Sequence, residues 1–200
     1  MKKFWDERFE KDEFIYGENP NSFFKSEFKK LRNSGHALFP LEGEGRNACY
    51  ATLHGWEVDA FDFSEAGKEK SNQLCNKHNV SVNYDISTAE GYDFKDNKYD
   101  LVVLIYAHLN PEVRKGFHHN IMKTLKPGGK LILEAFHPKQ LSHHYTSGGP
   151  KNEEMLYTLE MLKQDFRGMS KLEGEECEIE LNEGKHHEGK GFVTRLRGVK

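Results

Sequence analysis

The chain has 200 residues, 36% hydrophobic and 30% charged, with a formal net charge of -3. That length supports one domain with a core of its own, and the scattered lysines and arginines offer no basic face for a nucleic acid. Three cysteines without C-x-x-C spacing argue against a disulfide framework or a zinc knuckle, and the longest apolar run, LVVLIYA from Leu101, is far too short to span a bilayer.

The opening MKKFWDERFEKDEF has positive charge but no apolar stretch behind it, so the chain reads as soluble, cytoplasmic and unprocessed. NPNSFFKSEFKKLRNSG predicts a helix started at Pro20 with Asn21 or Ser22, its stripe formed by Phe24, Phe28 and Leu31. ALFPL is a short strand entering a loop with the pattern G-x-G-x-x-A at Gly43, Gly45 and Ala48. NACYATLHG is helical with Gly55 as its stop, and EVDAFDFS is a strand ending in Asp62. Ser64 caps the next helix, which runs to about His78, and VSVNYD is a strand reaching Asp85.

YDLVVLIYA, apolar throughout, predicts a strand covered on both faces in a parallel sheet. In NPEVRKGFHHNIMKTLKPGG, Asn110 caps a helix and Pro111 takes its first position. Val113, Phe117, Ile121 and Leu125 form the stripe, and Pro127, Gly128 and Gly129 end it. KLILEAF is another buried strand, followed by a helix around YTLEMLKQDF and by two alternating runs, CEIEL and GFVTRLRG, joined as a hairpin through NEGKHHEGK. The sum is an α/β chain: a Rossmann-like, doubly wound, mostly parallel sheet of five β-α units with a C-terminal antiparallel hairpin, in a single domain over 1–200.

A glycine loop between a strand and a helix lies where such sheets bind ligands, and its glycines let the backbone approach a cofactor closely. Asp62 is placed to accept hydrogen bonds from ribose hydroxyls. Glu42 and Glu44 sit inside this loop. Like charges about 5 Å apart at an effective dielectric near 20 repel by roughly 3 kcal/mol, so the two carboxylates oppose a pyrophosphate. They suit a cationic nucleoside without phosphate, and S-adenosylmethionine carries both a sulfonium and an ammonium.

FWDERF, YGENPNSFF, LEGEGRNACYA, FDFS, YDLVVLIYAHL, LKPGGKLILEAFHP and NEGKHHEGKGF span nearly the whole chain. With these motifs it resembles the class I S-adenosylmethionine-dependent methyltransferases, specifically the small bacterial tellurite-resistance and thiopurine methyltransferases. The resemblance implies a cofactor-covering segment over 1–35, a cofactor-binding half over 36–136 and an acceptor side over 137–200. Gly43 and Gly45 would cradle the methionine portion, Asp62 hold the ribose, Phe63 and Ile86 flank the adenine, and Asp85 receive its amine. Tyr106 would border the methionine portion, Tyr16 and Asn21 close over the site, and Asn47 belong to the same set. Where the family pattern has an acidic residue and a first glycine, this chain has Phe39 and Leu41, which leaves Glu42 as the replacement carboxylate for the ammonium group.

The implied reaction is methyl transfer to a small-molecule acceptor, a thiol or an oxyanion of tellurium or selenium, with S-adenosylhomocysteine as product. No nucleic-acid or membrane partner is expected, and the choice between monomer and homodimer stays open. Such a displacement needs alignment more than acid-base help, but three histidines are candidates for a base or acceptor-orienting group. His108 follows LVVLIYA at a strand's carboxyl end, and His137 holds the corresponding place after LILEAF. His187, with His186, lies in the hairpin that overhangs the acceptor pocket in similar enzymes, and Arg195 and Arg197 beyond it suit a small anion. No metal site is expected: His118 and His119 are about 100° apart on a helix, His143 and His144 have no ligand pattern around them, and Cys49 reads as core. Two other readings stand beside this one, a nicotinamide-dependent oxidoreductase and a non-catalytic S-adenosylmethionine-binding module.

Overall fold

The computed structural model describes residues 2–10, 13–184 and 186–200, so Lys185 of the expected hairpin turn and part of the N-terminal segment lie outside the described residues. Seven strands form one sheet in the order β3-β2-β1-β4-β5-β7-β6. The first five strands are β1 (His36–Pro40), β2 (Glu57–Asp62), β3 (Asn83–Ile86), β4 (Tyr99–Ile105) and β5 (Leu125–Phe136), and they run parallel. β6 (Lys171–Asn182) and β7 (Glu188–Val199) are an antiparallel pair, and β7 pairs antiparallel with β5. The order reverses between β1 and β4, which opens a crevice at the strands' carboxyl ends.

The run LVVLIYA is apolar on both sides because both sides are covered. Leu101 and Val103 pack with Phe24, Phe28, Phe39 and Ala48, beneath α2 (Ser22–Phe28) and α3 (Arg46–Leu53). Val102 and Leu104 pack with Phe117, Ile121, Leu133 and Phe166, beneath α5 (Pro111–Thr124) and α7 (Leu159–Asp165). This period-two division places one continuous core on each face of the sheet.

Two caps act as their residue types dictate. Asn21 accepts the amide of Phe24 at the start of α2, and Ser64 accepts that of Gly67 at the start of α4 (Glu65–Lys77). Asn110 stands at the start of α5 but makes no side-chain cap, Pro111 having taken one of the free amides away. Leu31 lies beyond α2, and Leu125 has left the helical stripe to open β5, whose register shifts at the KPGG bulge before Lys130.

The expectation of five β-α units is corrected at one place. Residues 87–98, between β3 and β4, form no helix; Tyr92 stacks on Phe61 at 4.0 Å and Phe94 meets Phe117 edge-on, so aromatic rings cover the face that a helix would. β5 is followed by the four-residue α6 (Lys139–Ser142) and then by the expected helix around YTLEMLKQDF, α7. The first residues add an element the sequence did not announce, α1 (Lys2–Phe9), which packs on α4. The outermost strand, β6, carries five glutamates, Glu173, Glu175, Glu176, Glu178 and Glu180.

Candidate active site

The loop after β1 turns by left-handed backbone at Leu41, Gly43 and Gly45. Gly45 is required twice over: its φ is 82°, and an added Cβ would come 2.1 Å from Ser71 Oγ on α4. The loop is fixed from below, where the buried Tyr84 hydroxyl donates to the Gly43 carbonyl at 2.7 Å. Asp62, at the end of β2, accepts the Gly43 amide at 3.2 Å and the Ser64 amide at 3.0 Å. Its carboxyl is almost fully buried, and burial pushes it up to about 6.

The two loop glutamates serve their own chain. Glu42 Oε1 accepts the amides of Asn47 at 2.9 Å and Ala48 at 2.8 Å, at the positive end of α3. Burial nevertheless pushes it up to about 7. Both oxygens of Glu44 accept the amides of Ile15 and Tyr16, at 3.1 and 3.2 Å, and tie the N-terminal segment onto the loop. The charge argument for a cationic ligand is therefore weaker than the sequence suggested, since these carboxylates are committed to backbone donors and burial raises both.

Further along the same ends, Ile86 pairs in register with Asp62 and is 42% exposed, one of two large hydrophobic side chains so exposed among the described residues. Asp85 beside it is exposed and Phe63 half-buried. An apolar side chain, an aromatic ring and a free carboxylate thus line one side of the crevice. Phe9 of α1 lies over the loop, its ring 3.1 Å from where a Cβ on Gly43 would stand.

On the other side of the loop lies a buried polar network that the sequence gave no sign of. Asn21 is fully buried; its amide donates to Asn47 Oδ1, and its side-chain nitrogen reaches Glu134 Oε1 at 2.7 Å and Glu183 Oε1 at 3.0 Å. Tyr106, in left-handed backbone just past β4, donates its hydroxyl to Glu134 Oε1 at 2.9 Å. Glu134 Oε2 receives Arg195 Nε at 2.6 Å, its direct partner across β5 and β7. Arg46 reaches Glu183 Oε2 at 2.8 Å and the Tyr16 carbonyl at 3.1 Å. The parts come from six separate stretches of chain, so only the closed sheet brings them together.

The three candidate histidines differ in what they have free. His108 has Nδ1 donating to the Met155 carbonyl at 2.7 Å and Nε2 accepting the Phe136 amide at 3.1 Å, and burial pushes its imidazole down to about 4. Both nitrogens hold backbone together. His137 accepts the Lys139 amide and lies 3.3 Å from Glu176. His187 is buried among the rings of Tyr16, Tyr106 and Phe136, at centroid distances of 4.5, 4.7 and 5.4 Å, with Nδ1 3.5 Å from Glu183 Oε2. His186 and Arg197 lie outside this network as described; Arg197 reaches Glu27 at 3.3 Å. Cys49 is buried beside Cys75 and Leu74. Among the described residues, no group of three or more His, Cys, Asp or Glu side chains is arranged to hold a metal, and no helix is long and apolar enough to cross a membrane.

Residues 42–129 match a family described as a methyltransferase domain. A ubiquinone biosynthesis O-methyltransferase of Rickettsia conorii is 30% identical over 112 residues, which cover 54% of this chain and 38% of that protein. The chain therefore spans well under half the length of this relative. The solved structure of TehB from Haemophilus influenzae superposes with a TM-score of 0.68 at 16% identity, over all of this chain and 66% of that one. The N-methyltransferase NodS from Bradyrhizobium japonicum, solved with S-adenosylhomocysteine, gives 0.69 at 13% identity, over all of this chain and 97% of that one. Likenesses at such identities speak for the fold alone.

Proposed function

We infer that this chain, whose residues 42–129 match a methyltransferase domain, is a class I S-adenosylmethionine-dependent methyltransferase that transfers the methyl group of S-adenosylmethionine to a small-molecule acceptor. The observation that carries this reading is the left-handed glycine loop locked to Asp62, with the exposed Ile86 one strand away. An apolar side chain left in solvent beside a buried carboxylate fits a nucleoside, whose base takes the apolar surface and whose ribose hydroxyls take the acid. Phe63 and Asp85 complete the base-binding edge. Gly43 and Gly45 would face the methionine portion, with Tyr106 at its border, while Tyr16, Asn21 and Asn47 hold the N-terminal segment against it.

When bound, S-adenosylmethionine supplies an electrophilic methyl on a sulfonium, and S-adenosylhomocysteine is left after transfer. The chain's own residues orient and enclose. Glu44 fastens the N-terminal segment, the Asn21 network fixes Tyr106 and Arg46, and the rings of Tyr16, Tyr106 and Phe136 keep water from the reacting atoms. His187 is the histidine placed to meet the acceptor. A thiol suits such a ring-lined space; a tellurium or selenium oxyanion meets arginines whose charge Glu134 and Glu183 already balance.

Calorimetric titration with S-adenosylmethionine, S-adenosylhomocysteine and NAD tests the reading. Binding of the first two in the micromolar range without NAD is the expected result. NAD binding alone would overturn it in favour of an oxidoreductase. Binding of S-adenosylmethionine without transfer to any acceptor would leave a binding module.

A further inference from the structure

Three elements converge on Glu183, in the hairpin motif NEGKHHEGKGF. Its Oε2 accepts Arg46 Nη2 at 2.8 Å and lies 3.5 Å from His187 Nδ1, while Oε1 accepts Asn21 Nδ2 at 3.0 Å. The hairpin turn sets the spacing of the pair: the Glu183 amide donates to the His187 carbonyl at 2.9 Å and the His187 amide to the Gly184 carbonyl at 3.0 Å. Both side chains are at least nine-tenths buried. The turn is seated on the N-terminal segment, for a Cβ on Gly184 would stand 2.5 Å from the Ile15 carbonyl oxygen.

The groups facing the imidazole are Arg8 from α1, Arg46 from α3, Glu183 from its own hairpin, Tyr16 from the N-terminal segment, and Tyr106 and His108 from the end of β4. Burial, aided by the two guanidiniums, holds the imidazole below its ordinary value, and Glu183 opposes them. Burial would raise Glu183, but the nearby His187 and Arg46 outweigh it and hold the carboxylate ionised at about 2. A neutral imidazole beside a carboxylate puts its proton on Nδ1 and its lone pair on Nε2. The Cδ2–Nε2 edge packs on Gly148, where an added Cβ would stand 2.6 Å from Cδ2 and 2.9 Å from Nε2, so glycine there is what leaves room for the ring.

We propose that Glu183, 3.5 Å from His187 Nδ1, is a positioning residue whose charge draws the imidazole proton to Nδ1, so that Nε2 takes a proton from the acceptor and the site is built for acceptors that arrive protonated, thiols or hydroxyls. This rests on the methyltransferase reading above. The acceptor's S–H or O–H proton passes to Nε2, and the freed electron pair forms the new bond to the methyl carbon. The methyl–sulfonium bond breaks with its pair retained on sulfur, and the imidazolium returns its proton to water. A preformed oxyanion has no proton to give and no use for the pair.

The test uses the full chain with S-adenosylmethionine, a series of aryl thiols of graded acidity, and selenite. Wild type is compared with Glu183→Gln and His187→Gln, with folding checked by circular dichroism and cofactor affinity by calorimetry. For thiols protonated at the assay pH, both variants are expected to lose on the order of 100-fold in kcat, and for thiols already ionised less than about threefold. Cofactor affinity stays within about threefold. The acid limb of kcat/KM in Glu183→Gln moves to lower pH, because the carboxylate that raises the imidazole is gone, and a merely structural role would not move it. The same fractional loss along the whole series, an unmoved limb, or selenite methylated faster than every thiol and equally well by His187→Gln would overturn the proposal. Cofactor binding without transfer to any thiol overturns it as well, whereas failure of wild type to bind S-adenosylmethionine overturns the methyltransferase reading beneath it.

Discussion

His108 Nε2 accepts the backbone amide of Phe136 at 3.1 Å, and so stitches the end of β4 to the end of β5 where their ladder has run out. Its other nitrogen reaches Met155 on the far side. His108→Ala leaves two buried backbone groups without partners, at a cost of about 2 to 4 kcal/mol. Chemical denaturation should show that loss while turnover per folded molecule stays within about threefold. A collapse of turnover in a variant of unchanged stability would return His108 to the chemistry.

Asp62→Asn keeps an acceptor for one loop amide but removes the charge offered to ribose hydroxyls. Affinity for S-adenosylmethionine should fall by roughly 1.5 to 3 kcal/mol, about 10- to 150-fold, with the fold retained. Calorimetry reads it directly. Undiminished affinity in a folded variant removes Asp62 from the site.

Glu42 makes stability depend on pH in the unusual direction. Its folded value of about 7 lies above the ordinary 4.5, so the native state holds a proton that the unfolded chain releases. That contribution is complete below about pH 4.5 and lost as pH rises through 7. Glu42→Gln keeps an acceptor for the amides of α3 without the charge, and should raise stability at pH 8 by about 1 to 3 kcal/mol while leaving it unchanged at pH 4. Urea melts at the two pH values check this; an equal shift at both would mean that ionisation is not the cause.

Gly45→Ala places a Cβ 2.1 Å from Ser71 Oγ at a φ of 82°. Strain and clash together should cost about 2 to 4 kcal/mol, seen as a lowered denaturant midpoint. A variant within about 0.5 kcal/mol of wild type would contradict the close approach of the loop to α4.

Much of this was legible in the chain itself, because local chemistry decided it. The apolar run at Leu101, the Ser64 cap and the G-x-G-x-x-A loop ending opposite Asp62 each follow from periodicity or from what only one residue type does. Residues 87–98 misled because nothing in their pattern says that Tyr92 and Phe94 will cover the sheet without a helix. Glu42 and Glu44 were read as charges facing a ligand; whether a carboxylate meets a ligand or a backbone amide is a matter of direction, which sequence spacing does not carry. The Asn21, Glu134 and Glu183 network joins residues up to 162 positions apart and has no local signature. His108 looked like a base because of where it stands, and spacing carries no sign of its two backbone partners.

The five glutamates of β6 act on the molecule's behaviour in bulk solution. A twelve-residue outer strand leaves a row of backbone donors and acceptors ready to zip onto a second copy. Carboxylates along that strand make two such edges repel, so the protection is electrical rather than steric. It weakens as salt screens the charges, which makes high ionic strength the condition in which two such edges repel least.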